Sequence, residues 1–178
     1  MKTLTWFCNN CKSIISIMID DDETISDETI SNVINVLDKF LSCPKCHTPL
    51  CSDDESTSHL TLFNSKLIPT FLELNQKGYV FSIYPGRGDN ESYTRILIDD
   101  DTIDLRRGKQ FSSHIIESGG FIESRNSIML PLILDNDAFI DFYAWVLLLK
   151  DVHNKNDDMI DHIDTYELWF SDFVKLLK

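Results

Sequence analysis

Apolar residues follow two rhythms along this chain, and each predicts a different element. Ile15, Ile17 and Ile19 alternate with Ser16 and Met18, a period of two that predicts a half-buried strand over residues 13–19. Residues 3–7 read as a second strand. Past an acidic break at 20–23 the rhythm changes. Ile30, Val33, Ile34, Leu37, Phe40 and Leu41 recur at helical spacing, with Ser26 or Asp27 as the cap.

The polar, acidic stretch 52–58 predicts a linker. Residues 60–63 predict a short strand, and 67–76 a helix with Gly78 as its C-terminal stop. Residues 79–84 and 92–98 read as strands joined by a Pro-Gly-rich turn. Ile115-Ile116, Phe121-Ile122 and residues 127–134 predict further strands, with Gly119-Gly120 as a turn. Phe139, Ile140, Tyr143, Val146 and Leu147 then mark a helix capped by Asp135 or Asn136. After a polar break at 154–156, Ile160, Ile163, Leu168, Trp169, Phe173, Val174 and Leu177 mark another. Two amphipathic helices with a short break predict an antiparallel hairpin packed on a sheet.

Two Cys-x-x-Cys pairs stand on this frame: Cys8 with Cys11, and Cys43 with Cys46. Four thiolates in two close pairs match the ligands of a tetrahedral zinc site. The 31 residues between the pairs suit a ribbon with a helix inserted between its knuckles. A closed four-thiolate shell leaves no position for substrate, so the sequence predicts a structural Zn2+ and not a catalytic one. His47 and Cys51 beside the second pair are reserve ligands.

Composition narrows the class. At 43% hydrophobic and 25% charged, the chain is of globular type. Its formal net charge of -13 repels phosphate backbones and favours cationic partners. Met1-Lys2 runs into a polar, Cys-containing stretch without an apolar core, so no leader is expected. The longest apolar run, 144–149, is far short of a membrane span. The expected address is cytoplasmic, where paired cysteines hold metal more often than disulfides. Only two alanines, Ala138 and Ala144, beside abundant Ile, Asp, Ser and Asn suggest AT-rich coding of a bacterial or phage kind.

Cys43-Pro44-Lys45-Cys46 and Phe71-Leu72-Glu73-Leu74-Asn75-Gln76-Lys77-Gly78-Tyr79 carry a resemblance. The stretch 43–98 resembles an uncharacterised family of small proteins of low-GC Gram-positive bacteria and their phages. That family joins a Cys-Pro-x-Cys knuckle to a helix ending in Leu-Asn-x-Lys-Gly-Tyr, then a strand and a Cys-Ser-Gly-His-like loop. Here the loop departs from the pattern and reads Ser82-Ile83-Tyr84-Pro85-Gly86-Arg87-Gly88. The resemblance implies a zinc knuckle with an α/β module and brings no established activity.

Other groups are weaker. Gly86-Arg87-Gly88 is a fragment of a phosphate loop, but it joins two predicted strands and reads as a hairpin turn. Arg87, Arg95, Arg106, Arg107 and Lys109 gather positive charge that either binds an anion or neutralises Asp99, Asp100, Asp101 and Asp104. Residues 20–23 lack the glycine of a calcium loop. Asp158 and His162, four apart on a predicted helix, read as a solvated acidic face. His59, His114 and His153 have no partner signature. Trp145, Trp169, Phe170 and Phe173 read as core, and an exposed Trp145 or Phe170 would mark a partner surface.

Together these patterns predict an α+β protein. A zinc-ribbon-like module with an inserted helix occupies 1–52. A small, mostly antiparallel sheet with a helix follows over 53–134, and a C-terminal helical hairpin over 135–178. The favoured function is non-enzymatic: an acidic zinc-binding protein that engages a protein partner with a basic surface. A phage-type inhibitor that mimics nucleic acid charge fits this description. The alternatives are a zinc ribbon that binds nucleic acid, and an enzyme centred on Arg87, Arg95 and His114.

Overall fold

The computed structural model describes residues 2–20, 27–50, 60–87, 92–107, 109–132, 136–152 and 163–177. The elements run β1 (Lys2–Cys8), β2 (Ser13–Ile19), α1 (Asp27–Phe40), β3 (Leu60–Phe63), α2 (Ile68–Gln76), β4 (Phe81–Arg87) and β5 (Ser92–Ile98). Then come α3 (Lys109–Glu117), β6 (Phe121–Ser124), β7 (Ser127–Pro131), α4 (Asn136–Leu147), β8 (Thr165–Trp169) and α5 (Phe170–Val174). Among the described residues the chain is α+β, with two four-stranded sheets. It divides into two compact units, residues 1–62 with 164–178, and residues 63–163. The expected boundaries, 1–52, 53–134 and 135–178, simply follow chain order, whereas one unit takes both ends of the chain.

In the first unit the strand order is β3-β1-β2-β8. β1 and β2 form an antiparallel hairpin in which Leu4 faces Ile17, Trp6 faces Ile15 and Cys8 faces Ser13. The alternation along β2 places Ile15, Ile17 and Ile19 on one buried face. Val33, Leu37 and Leu41 from α1 and its end, Leu60 and Phe170 complete that core with Cys8 and Cys43. Phe40 falls off the stripe expected of α1 and lies exposed.

In the second unit β4-β5-β7-β6 form an antiparallel sheet. Phe81, Ile83, Ile96, Ile98, Ile128 and Leu130 are buried, as are Phe71 and Leu74 of α2 and Phe142 and Val146 of α4. Phe71 stacks on Phe81, with centroids 5.3 Å apart. Phe111, Phe142 and Trp145 stack in turn, which ties α3 to α4. Trp145 is thus half-buried and Phe170 buried, and neither marks an open surface.

Three expectations change. Ile115-Ile116 lies in helix α3 and forms no strand. Phe111 and Ile115, four apart, both turn inward, and Ile116 is exposed. β7 stops at Pro131, short of residue 134. The C-terminal helical hairpin is not what residues 165–169 form. They make β8, which pairs with β2 in parallel, Ile14 facing Thr165 and Ile17 facing Leu168. Tyr166 and Leu168 alternate with Thr165, Glu167 and Trp169, a strand rhythm inside an apparent helical stripe. Ser26, Cys51, His59, Gly88, Asp135, His153, Asp158, Ile160 and His162 lie outside the described residues, as do residues 21–23 and the 52–58 linker.

The Lys77-Gly78-Tyr79 turn has a clear structural task. Gly78 adopts φ 91° and reverses the chain after α2. The Lys77 ammonium then donates to the carbonyls of Leu147 at 2.8 Å and Leu149 at 2.6 Å. The Tyr79 hydroxyl donates to the Lys150 carbonyl at 2.8 Å. The C-terminal end of α4, where carbonyls lack helical partners, is satisfied by this turn.

Candidate metal centre

Each knuckle is the turn of a hairpin. In the first, Cys8 and Ser13 close the β1–β2 ladder. In the second, Ser42 bridges Pro49 and the Cys43 amide donates to the Thr48 carbonyl at 2.8 Å. The two turns repeat one another atom for atom. The Lys12 amide donates to the Cys8 carbonyl, and the His47 amide to the Cys43 carbonyl, both at 2.8 Å. Lys12 and His47 both take left-handed backbone, φ 57° and 62°. An L side chain there costs about 1–2 kcal/mol, so the knuckle geometry is enforced by its surroundings.

These turns bring Cys8, Cys11, Cys43 and Cys46 together, with all four sulfurs within 4.8 Å of one another. Cys8 Sγ lies 3.6 Å from Cys46 Sγ, and Cys11 Sγ lies 3.4 Å from Cys43 Sγ. All four are free thiols, at separations far beyond the bond of about 2.05 Å in a disulfide. A tetrahedral ion with metal–sulfur bonds of about 2.3 Å needs sulfurs about 3.8 Å apart. The donor set and spacing therefore fit a metal ion. His47 adds no ligand to this cluster and serves as the left-handed residue of its turn.

A second repeat lies outside the sulfurs. Ser13 Oγ sits 3.0 Å from Cys11 Sγ, and Thr48 Oγ1 sits 3.1 Å from Cys46 Sγ. In each knuckle a hydroxyl two residues beyond the second cysteine lies within hydrogen-bond distance of its sulfur, placed to donate when that sulfur is ionised. Asn10 donates from its side-chain amide to Thr48 Oγ1 at 3.2 Å, which joins the knuckles outside the cluster. Sequence reading passed over these three residues. The signal was there as Cys-x-x-Cys-x-Ser and Cys-x-x-Cys-x-Thr.

Burial divides the ligands. Cys8 and Cys43 face the core, while Cys11 and Cys46 are only half-buried. Burial pushes the Cys8 thiol far above the usual range. Burial also raises Cys11, against the hydroxyl of Ser13. At Cys46 burial is outweighed by the Thr48 hydroxyl and amide, the Asn10 side chain and Cys8, which bring it down to about 6. A divalent ion with four thiolates leaves two negative charges. Lys12 and Lys45 are each next to a knuckle cysteine in sequence, and Lys45 already holds a carboxylate. Burial lowers Lys12, and the charge of Cys8 works against that shift. Lys45 is raised chiefly by its 2.6 Å contact with Asp164, just before β8.

The basic residues fall in separate places. Arg95 on β5 pairs with Glu123 of β6 at 3.0 Å. Arg106 and Arg107 both reach Asp104, whose carboxyl the Arg106 side chain holds below its usual range. Arg87 ends β4 and Lys109 opens α3. Arg87 pairs in register with Ser92, so Gly86 and Arg87 belong to a β-hairpin and do not lead into a helix. His114 Nδ1 contacts the Asp141 carboxylate between α3 and α4.

No protein-family model, curated protein or solved structure matches this chain. Among the described residues, no helix is long and apolar enough to cross a membrane.

Proposed function

We propose that the chain is a zinc protein in which the ion is structural, and that the protein acts by binding a basic protein partner. The observation that carries the metal reading is the four-sulfur cluster with a hydroxyl within hydrogen-bond distance of each half-buried sulfur. When bound, zinc would cross-link β1–β2 to the segment after α1, continuous with the core that contains Cys8 and Cys43. Four sulfur ligands saturate the ion and leave it no position for water or substrate. An iron ion would also accept four thiolates, and colour distinguishes it from zinc. The net charge of -13 supports a cationic partner and disfavours nucleic acid.

The test has two parts. Elemental analysis of the purified chain should give one zinc per molecule, with no visible absorption. Immobilised chain should retain a lysine-rich polypeptide at low salt and release it at high salt, and should not retain duplex DNA. Purified protein that carries no bound metal would overturn the first claim. Salt-sensitive retention of DNA, or none of the basic polypeptide, would overturn the second.

A further inference from the structure

The metal reading uses the four sulfurs only as ligands, yet they are also the cluster's reactive groups. Two close contacts run between the knuckles: Cys8 Sγ to Cys46 Sγ at 3.6 Å, and Cys11 Sγ to Cys43 Sγ at 3.4 Å. Each contact sets a buried sulfur against a half-buried one, Cys8 against Cys46 and Cys43 against Cys11. A disulfide bond is about 2.05 Å long, so each pair has to close by about 1.5 Å. That is a movement on the scale of a side-chain rotation.

Burial divides the work. Cys11 and Cys46 lie at the margin of the core, where an oxidant in solution reaches them. Cys8 and Cys43 stand behind them, inside the core. A thiolate that is oxidised with a second sulfur in reach is trapped as a disulfide, and one without such a neighbour is oxidised further to acids that thiols do not reverse. The cross-knuckle pairs lie 38 and 32 residues apart in sequence. A bond between them closes a long loop and ties the β1–β2 turn to the segment after α1, whereas a bond within a knuckle closes a very short one and joins nothing else.

We infer that the cluster is also an oxidative modification site, at which hydrogen peroxide converts the four thiolates into two cross-knuckle disulfides, Cys8–Cys46 and Cys11–Cys43, and releases the ion. This rests on the structural-zinc reading given above and adds a regulation of that same site. The Cys46 thiolate attacks one peroxide oxygen. The O–O bond breaks, hydroxide leaves and takes up a proton as water, and Cys46 becomes a sulfenic acid. The Cys8 thiolate then attacks the Cys46 sulfur. The S–S bond forms, the S–O bond breaks, and a second hydroxide leaves as water. Cys11 and Cys43 repeat both steps. Four thiolates give up four electrons to two peroxides, and four protons are consumed to make four waters. Zinc keeps its charge throughout and leaves because its ligands are gone. Bound zinc shares the sulfur lone pairs, so the attack is slower than on a free thiolate but draws on the same electrons. The two new bonds replace the ion as the link between the knuckles.

The probe is hydrogen peroxide added to the full zinc-loaded chain. A chromophoric chelator reads the zinc set free, and peptide mapping without reductant reads the linkages. Bound zinc should fall from one per chain to near none. The map should show Cys8 joined to Cys46 and Cys11 to Cys43 within single chains. Dithiothreitol with added zinc should then restore four thiols and one bound ion. Cys51→Ser, which removes the fifth cysteine, should give the same two linkages. Linkages within a knuckle, a bond to Cys51 or between chains, or sulfinic acids in place of disulfides would overturn the inference. So would bound zinc and four thiols that survive excess peroxide. In that case the structural-zinc reading stands and only the modification fails. A chain that purifies without bound metal overturns the zinc reading, and the release of zinc with it.

Discussion

Removing the two hydroxyl donors tests the metal centre more sharply than removing a ligand, because the sulfurs stay in place. Ser13→Ala deletes the hydroxyl 3.0 Å from Cys11 Sγ, and Thr48→Val the one 3.1 Å from Cys46 Sγ. When the ion is bound both sulfurs are thiolates, so each hydroxyl donates to an anion. Outer-shell donors of this kind are worth about 10–100-fold in metal affinity, or about 1.4–2.8 kcal/mol. Ser13 is fully buried, so its loss should lie toward the upper end. Thr48 is partly solvated and also receives Asn10, so Thr48→Val and Asn10→Ala should not add. Zinc competition against a chromophoric chelator at neutral pH measures each affinity. Ser16→Ala, further along β2, is the control. The double variant should bind zinc more weakly than either single one while still binding it stoichiometrically. If both single variants bind within twofold of the parent, the paired hydroxyls have no part in holding the ion.

In chelator-stripped protein, Cys46 should react with iodoacetamide first. Its labelling rate should rise through about pH 6 because the thiolate is the nucleophile, while Cys8 stays slow across neutral pH. A depressed thiol favours the folded anion, so the stability Cys46 adds is full above the ordinary thiol value and lost as pH falls through about 6. Peptide mapping at several pH values checks the order, and zinc should protect all four cysteines. Lys77→Met removes both donors to the end of α4 and should lower stability by about 1–2 kcal/mol in denaturant melts, with zinc content unchanged. Gly120→Ala would place a Cβ 2.8 Å from the Met129 carbonyl and 2.9 Å from Ile115 Cγ2, and should destabilise by about 1–3 kcal/mol in the same assay.

The cluster was legible because its spacing is chemical. Two Cys-x-x-Cys pairs specify a shell whatever lies between them, and the alternation of β2 located its core. α3 was missed because Ile115-Ile116, read as a doublet, hides the spacing from Phe111 to Ile115 that decides the element. The face of α4 was half legible. Phe139 and Ile140 were assigned to one stripe, but neighbours on a helix point about 100° apart, and only Phe139 turns inward. β8 was missed for a different reason. Its short alternation overlaps a helical stripe, and its pairing partner β2 lies near the other end of the chain. No local window contains that competition. The segment 74–79 stood out in the sequence as a motif, and the structure gives it a mechanical task at the end of α4.

Synthesis of this polypeptide is vectorial, and the parallel pairing of β2 with β8 turns that into a sequence of events. Both thiol turns, complete by Cys46, leave the ribosome well before residues 165–169 of β8, so the four cysteines can meet an ion first. The strand that pairs with the free side of β2 emerges long after β2 itself. Until it arrives, one side of β2 offers bare amides and carbonyls to any extended polypeptide nearby. Translation speed and chaperone access during that interval should therefore influence yield.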